Sequence, residues 1–284
     1  MKKVMSLVLL SMLTIALIPS VSLAKDKNYS EKQLNQILMK SGMPINVIES
    51  LDIDYKRTIV TNSGENLKYA GSQVKTFHRD DETGALIENP ESSGGTFPQA
   101  AIPRSDLVFK ITVFDGKYPA FKEVYGNFEW LTTGKGPSPG PYGINKDMFS
   151  IAVPDGWEIQ SGKYGALMYK NWFNPVSGTY TGWVDNGTKG FENGGQPASD
   201  GYSMYGAAWR MNTSDNSYMY KGTTWLTMRR VDSDAPQRII VQYMEAKENA
   251  IGQFGVSLAW KALSVTYTPT AGSKNEANAD ATFD

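Results

Sequence analysis

The sequence predicts a mainly β protein, an antiparallel β-sandwich or barrel with a small helical N-terminal module. Three observations lead there. From residue 106 onward, apolar and polar residues alternate at period two in about nine segments, with no helical pattern between them. The composition favours strands and turns, with 27 Gly, 15 Tyr and 7 Trp and only 20% charged residues. Between residues 25 and 64 the apolar spacing is instead that of short helices.

Residues 1–24 read as a secretory signal peptide. Lys2 and Lys3 make a basic start, and an apolar run over 4–18 is interrupted only by Ser6, Ser11 and Thr14. Pro19 and Ser20 end it, and the small residues Ser22 and Ala24 offer a cleavage site before Lys25. The run falls short of the ~20 apolar residues of a membrane span. No later segment of the sequence is long and apolar enough to serve as a membrane anchor, so the expected product is released outside the cell.

The helical module follows at 25–64. Ser30 and Gln33 fit a capping box, in which each side chain satisfies a backbone N–H of the first turn. Leu34, Ile37 and Leu38 then share a face, and Gly42 suits the stop because it adopts a left-handed conformation cheaply. Pro44 opens a second helix bearing Val47, Ile48 and Leu51. Asp52 caps a third, with Tyr55 and Ile59 inward and an end near Gly64. Three helices this short cannot bury much alone, so the module is expected to pack on the rest.

Residues 65–105 show no clear periodicity and read as a loop-rich connection, with a turn at Asp80, Asp81, Glu82, Thr83 and Gly84. The β domain is expected over 106–268. Its strands fall at 106–115, 124–130, 149–153, 164–173, 179–184, 202–211, 223–231, 238–246 and 254–268. The turn-forming run 232–237 predicts a hairpin between the strands on either side. In the last segment Phe254, Val256, Leu258 and Trp260 alternate in one phase and Leu263, Val265 and Tyr267 in the other, which predicts a bulge near Lys261. The small, polar residues 269–284 read as a disordered tail.

Several chemistries are excluded or poorly served. No Cys means no disulfide, no thiol nucleophile and no thiolate metal site. A balance of 28 basic to 29 acidic residues gives no electrostatic footprint for nucleic acid. The run Gly136-Pro137-Ser138-Pro139-Gly140 matches the letters of a nucleophile elbow, but no helix can start through those prolines, so a rigid extended loop is expected. His78, the single histidine, is the base a serine triad would need, yet it reads more simply as a polar residue near a turn. No catalytic residue and no cofactor are assigned.

Paired carboxylates could support glycoside hydrolysis if two lie ~5–10 Å apart. The candidates are Glu129 beside Trp130, Asp155 and Glu158 around Trp157, and Asp232 with Asp234. The simpler reading makes Glu129 a solvated outward residue and the aspartates ordinary turn formers. A structural calcium is allowed by ligand type at Asp80, Asp81 and Glu82, at Asp185 and Asn186, or at Asp232 and Asp234. None has the twelve-residue spacing of an EF-hand loop, and no metal ligands are assigned.

Aromatic residues are the strongest feature. Trp172, Phe173, Tyr180, Trp183, Tyr202, Tyr205, Trp209, Tyr218, Tyr220 and Trp225 crowd one stretch that also holds a Gly/Asn/Asp-rich loop. Indole and phenol rings can stack on the apolar faces of sugars while amides and carboxylates bond the hydroxyls. The competing reading is that they fill the core, and the 202–211 strand is apolar on both faces. Trp172, Tyr180, Trp183 and Trp209 are the candidate ligand contacts.

The run from Leu34 to Ile59, with Ser41-Gly42-Met43-Pro44 between helical segments, resembles the start of uncharacterised secreted proteins of Gram-positive bacilli. The Gly255-Val256-Ser257-Leu258 strand followed by Val265-Thr266-Tyr267-Thr268-Pro269 is similar to their close. The resemblance implies export from such a cell and carries no activity or site residue. The expected function is therefore a secreted, non-catalytic binding protein for an extracellular ligand such as cell-envelope or plant polysaccharide. A glycoside hydrolase with paired carboxylates is the alternative, and a secreted toxin or pore-former the second.

Overall fold

The computed structural model describes residues 28–90, 105–131, 147–187, 202–203, 206–211, 213, 218–246, 255–258, 265–268 and 274–284. The signal-peptide reading of residues 1–24 and the proline-rich 136–140 run lie outside them. The fold is mainly β with antiparallel sheets and a small N-terminal helical module.

The helices are α1 (Glu31–Lys40), α2 (Ile45–Ser50) and α3 (Ile53–Ser63). Ser30 and Gln33 form the expected capping box on α1. Pro44 sits one position outside α2, as its N-cap. Asp52 caps α3 by accepting from the Asp54 and Tyr55 backbone N–H groups at 3.0 and 3.1 Å.

The strands described are β1 (Lys68–Arg79), β2 (Leu86–Glu88), β3 (Leu107–Asp115), β4 (Phe121–Trp130), β5 (Asp147–Ala152), β6 (Trp157–Asn174), β7 (Thr179–Gly187), β8 (Tyr202–Ser203), β9 (Gly206–Met211), β10 (Tyr218–Arg230), β11 (Arg238–Ala246), β12 (Gly255–Leu258), β13 (Val265–Thr268) and β14 (Lys274–Thr282). Seven form a sheet in the order β2-β1-β3-β4-β10-β6-β7, and five form a second sheet, β14-β11-β5-β9-β8. One hydrophobic core is shared by the two sheets. It includes Phe109, Ile111, Phe128 and Trp130 from the first and Phe149, Ile151, Val241 and Tyr243 from the second. The period-two pattern of the sequence is the cause, since each strand sends alternate residues inward.

The helices cover the other face of the seven-stranded sheet. Leu34, Leu38, Ile48, Tyr55 and Ile59 form a second cluster with Phe114 of β3 and Tyr125 of β4. The fully buried Tyr55 places its hydroxyl 3.0 Å from the Tyr125 carbonyl oxygen and 3.0 Å from Thr112 Oγ1. A buried phenol needs such partners, and here they pin α3 to the sheet.

Four sequence expectations are corrected. The 65–105 connection contains β1, which pairs β3 from Lys68↔Asp115 to Phe77↔Leu107. Its small residues hid it, and packing explains them: a Cβ on Gly71 would lie 2.6 Å from the Thr282 backbone oxygen, so the end of β14 passes directly over it. The disordered tail is instead β14, paired with β11 in unbroken register from Arg238↔Thr282 to Ala246↔Lys274. Ala277, Ala279, Ala281 and Phe283 do alternate inward, but alanine gives a weak apolar signal.

The third correction concerns the hairpin expected across 232–237. β10 is paired on one side by β4 and on the other by β6, so it has no free edge for β11. The connection instead crosses from one sheet to the other, held where Val231 N–H donates to the Gly156 carbonyl oxygen at 2.8 Å and Trp157 Nε1 to that of Pro236 at 3.0 Å. Fourth, β12 and β13 are not one bulged strand. They pair antiparallel with each other, Gly255↔Thr268 to Leu258↔Val265, and the expected bulge position, Lys261, lies outside the described residues.

Candidate functional site

The side of the seven-stranded sheet that carries the helices also carries a row of charged, polar and aromatic side chains. Directly opposed residues of neighbouring strands share a face. Lys221 of β10 opposes Tyr169 of β6, which opposes Asp185 of β7. The next pair along is Asn171 and Trp183. Helix α3 runs beside this row, and between them lies a cleft of about 450 Å³ lined by Asp54, Arg57, Thr58, Thr61 and Asn62 on the helix side and Leu167, Tyr169, Trp183 and Asp185 on the sheet side.

Lys221 organises the cleft. Its almost fully buried ammonium lies 2.9 Å from Asp54 Oδ2 and 3.3 Å from Asp52 Oδ1. It also sits 5.0 Å from the centroid of the Trp183 ring system and 5.1 Å from that of Tyr169. The contact fixes both rings and leaves Trp183 half-buried. Burial, together with the negative charges of Asp54 and Asp185, pushes the Tyr169 phenol well above its ordinary range, so it remains a hydrogen-bond donor at neutral pH. Gly182, at φ +104°, makes a bulge between the Asn171↔Trp183 and Phe173↔Tyr180 pairs, and its N–H donates to Asn171 Oδ1 at 2.8 Å. The bulge re-aims the strand just beside Trp183.

Asp52 couples this cleft to the stability of α3. Burial raises its pKa, but Lys110, Lys221 and the Tyr55 N–H outweigh burial and hold it below its ordinary 3.8. A carboxyl depressed on folding stabilises the fold fully above its unfolded pKa, and loses that contribution as pH falls through the lower folded value. Asp52→Asn keeps a good helix cap and removes the charge. It is expected to cost about 1–2 kcal/mol at neutral pH, a deficit that disappears well below pH 3.8. Urea midpoints of both proteins at the two pH values check this, and an unchanged deficit in acid would refute the charge argument.

The four predicted contacts do not share one surface. Trp183 lines the cleft. Tyr180 lies on the same face nearer the β6–β7 turn, edge-on to Phe173 with centroids 5.2 Å apart. Trp172 is 38% exposed but points from the opposite face, opposing Tyr218. Trp209 is a correction: it is 0% exposed within the core. It opposes Phe149 of β5 and points with it into the core between the sheets. Sequence reasoning missed Tyr169, Arg57 and Asp54, which come from segments more than a hundred residues apart. The Asp52 capping signal was the nearest pointer.

The proposed chemical alternatives have specific local partners. Glu129 Oε2 accepts from Lys110 Nζ at 3.1 Å, and Glu158 Oε2 from Arg229 at 3.1 Å. Asp232 accepts from the Asp234 N–H within its own turn, and Asp80 from the Glu82 and Thr83 N–H groups within another. His78 Nδ1 lies 2.7 Å from Asn89 Oδ1. Among the described residues no cluster of three or more His, Cys, Asp or Glu side chains is placed to hold a metal ion. No helix among them is long and apolar enough to cross a membrane.

The sequence matches no protein-family profile, and no curated protein matches it. Solved structures overlay on parts of the fold. The collagen-binding domain of a Staphylococcus aureus adhesin is 8% identical, with 57% of this chain and 87% of that chain covered and a TM-score of 0.28. The collagen-binding domain of the Erysipelothrix rhusiopathiae surface protein RspB is 10% identical over 72% of this chain and 58% of that one, with a TM-score of 0.32. The membrane-inserted NetB toxin of Clostridium perfringens is 9% identical over 74% and 96%, at 0.27. Overlays at this level bring strands onto strands and do not establish a shared fold.

Proposed function

We propose that this is an exported, non-catalytic binding protein that holds an extracellular polysaccharide, of cell-envelope or plant origin, in the cleft between α3 and the β6–β7 ribbon. Export rests on the features of residues 1–24. The observation that carries the binding reading is the half-buried Trp183 beside Tyr169, both held by the Lys221 ammonium in a cleft whose other walls offer Arg57, Thr58, Thr61, Asn62 and Asp185. Rigid aromatic faces with a few placed polar groups suit sugar rings and their hydroxyls.

The test is retention of the chain on a panel of insoluble polysaccharides and purified bacterial walls, with reducing-sugar release followed in the same tubes. Retention without release is expected. Trp183→Ala should weaken retention at least ~10-fold, the loss of roughly 1.4 kcal/mol of contact. Trp172→Ala should leave it within about 2-fold, because its ring faces away from the cleft. Sugar release would favour the paired-carboxylate hydrolase instead. Dye leakage from liposomes without any retention would favour a pore-former.

A further inference from the structure

A second cleft lies at the C-terminal end of α3. Its volume is about 610 Å³, and it shares Asn62 with the first. Its walls come from the end of α3, the turn before β4, strand β4 itself, β10 and the irregular middle of β6. Tyr118, Phe121 and Trp225 give it aromatic sides, and Asn62 and Gln160 give it amide groups. The Trp225 indole is seated firmly: it lies so close over Gly165, its cross-strand partner, that a Cβ there would fall 2.3 Å from the ring. Tyr118, by contrast, is 58% exposed at the rim.

Glu123 of β4 lines this cleft. Ser63 Oγ donates to Glu123 Oε2 and lies 2.5 Å from the Tyr125 hydroxyl. No Lys or Arg among the described residues forms an ion pair with Glu123, although the neighbouring acids of the sheet have such partners, Asp115 with Lys122 and Glu129 with Lys110. Lys117 and Lys163 also line the cleft, but neither is ion-paired with Glu123: Lys163 acts on it through its charge alone, and Lys117 Nζ lies 5.6 Å from the Tyr118 ring centroid. Burial raises the Glu123 pKa despite the Ser63 and Tyr125 hydrogen bonds and the Lys163 charge. A partly buried carboxyl with no ion pair among the described residues, in a cleft with aromatic walls, can take the ammonium group of a ligand as its counter-charge.

We propose that the Glu123 cleft is a second sugar subsite, which accepts a residue carrying a free amine: a glucosamine-type unit in preference to its N-acetylated form. The inference rests on the polysaccharide reading of the first cleft and adds the substrate class. The sugar ring packs on Trp225, its hydroxyls meet Asn62 and Gln160, and its ammonium supplies the ion-pair partner that Glu123 lacks among the described residues. N-acetylation removes that charge and adds bulk at the same atom. The shared Asn62 places the two clefts on one track past α3, which favours a polymer over a free monosaccharide.

The test is calorimetric titration of the full chain with glucosamine oligomers and with N-acetylglucosamine oligomers of equal length at about pH 6, where the free amine is protonated. The amine form should bind at least about 10-fold tighter. Glu123→Gln should erase that ratio, while Trp183→Ala should weaken both ligands without changing it. The Gln variant keeps the shape of the acceptor. A carboxyl whose pKa is raised on folding costs stability once pH exceeds its unfolded value, so the variant's unfolding midpoint at neutral pH should be no lower than that of the parent. Equal binding of the two oligomers, a ratio that survives in Glu123→Gln, or binding of neither oligomer overturns the proposal. If Trp183-dependent retention on other polysaccharides persists in any of these cases, the first cleft's reading stands and only the amine preference falls. If no polysaccharide is retained, both fall.

Discussion

Glu245→Ala is expected to lower the stability of the fold by about 3–5 kcal/mol. Glu245 of β11 is fully buried, and its two oxygens accept from Arg79 Nη1 and Nη2 at 2.9 and 2.8 Å. Arg79 belongs to β1 in the other sheet, with a side chain only 8% exposed, and its guanidinium also lies 5.1 Å from the centroid of the Trp130 ring system. Asn275 of β14 donates to the same Glu245 oxygen at 2.8 Å. The pair thus ties the two sheets and the last strand together. Desolvating two charges consumes most of their attraction, so the intact pair contributes little net energy. Removing one partner strands the other in a low-dielectric site, and that is the large term. With a urea slope of about 1–3 kcal/mol per molar, the midpoint should fall by more than ~1 M. The double variant Arg79→Met with Glu245→Ala should recover part of the loss, because it leaves no orphan charge. A single-variant cost under about 1 kcal/mol would mean that water reaches the pair.

The second large effect is expected at the C-terminal end. Termination after Ser273 removes β14 together with Phe283, and it exposes the edge of β11 and the core beneath it. The truncated chain is expected to aggregate or to unfold without cooperativity. Because failure to fold can have many origins, Phe283→Ala is the finer test. Phe283 packs edge-on against Trp157 with centroids 5.5 Å apart, and its removal should cost about 3–5 kcal/mol. A truncated chain with the parent's thermal midpoint would show that β14 adds nothing to the core. So would a Phe283→Ala variant within ~0.5 kcal/mol of the parent.

Legibility followed the strength of local signals. The capping box at Ser30, the Asp52 cap and the inward set of Tyr55 and Ile59 were readable because helix ends and helical spacing are decided within a few residues. The strands β3, β5 and β11 were readable because large apolar residues alternate in them. β1 and β14 were not. The inward positions of β14 hold Ala, and those of β1, opposite the core residues of β3, hold Gly71, Gln73 and Lys75 before Phe77, so neither strand shows an apolar alternation; the Gly71 reason lies in how closely β14 crosses β1, a property of two segments some two hundred residues apart. The 232–237 turn misled for a related reason. A turn says that the chain reverses, while pairing depends on which strand edges are still free.

The candidate contacts divide along the same line. Trp172, Tyr180, Trp183 and Trp209 look equivalent in sequence, since an aromatic in a strand is equally suited to core, edge or cleft. Packing separated them, burying Trp209 on the core face of one sheet and turning Trp172 away from Trp183 at the margin of the other. The pairing of Lys221 with Asp52 and Asp54, and the absence of such a partner at Glu123 among the described residues, could not be read from spacing at all. The sequence by itself determined the β class, the helical module and its caps, because periodicity and capping are local. Only the tertiary structure decided which sheet each strand joins, which aromatics reach solvent and which carboxyls are ion-paired among the described residues. Those outcomes depend on edges, burial and charge brought together from distant parts of the chain.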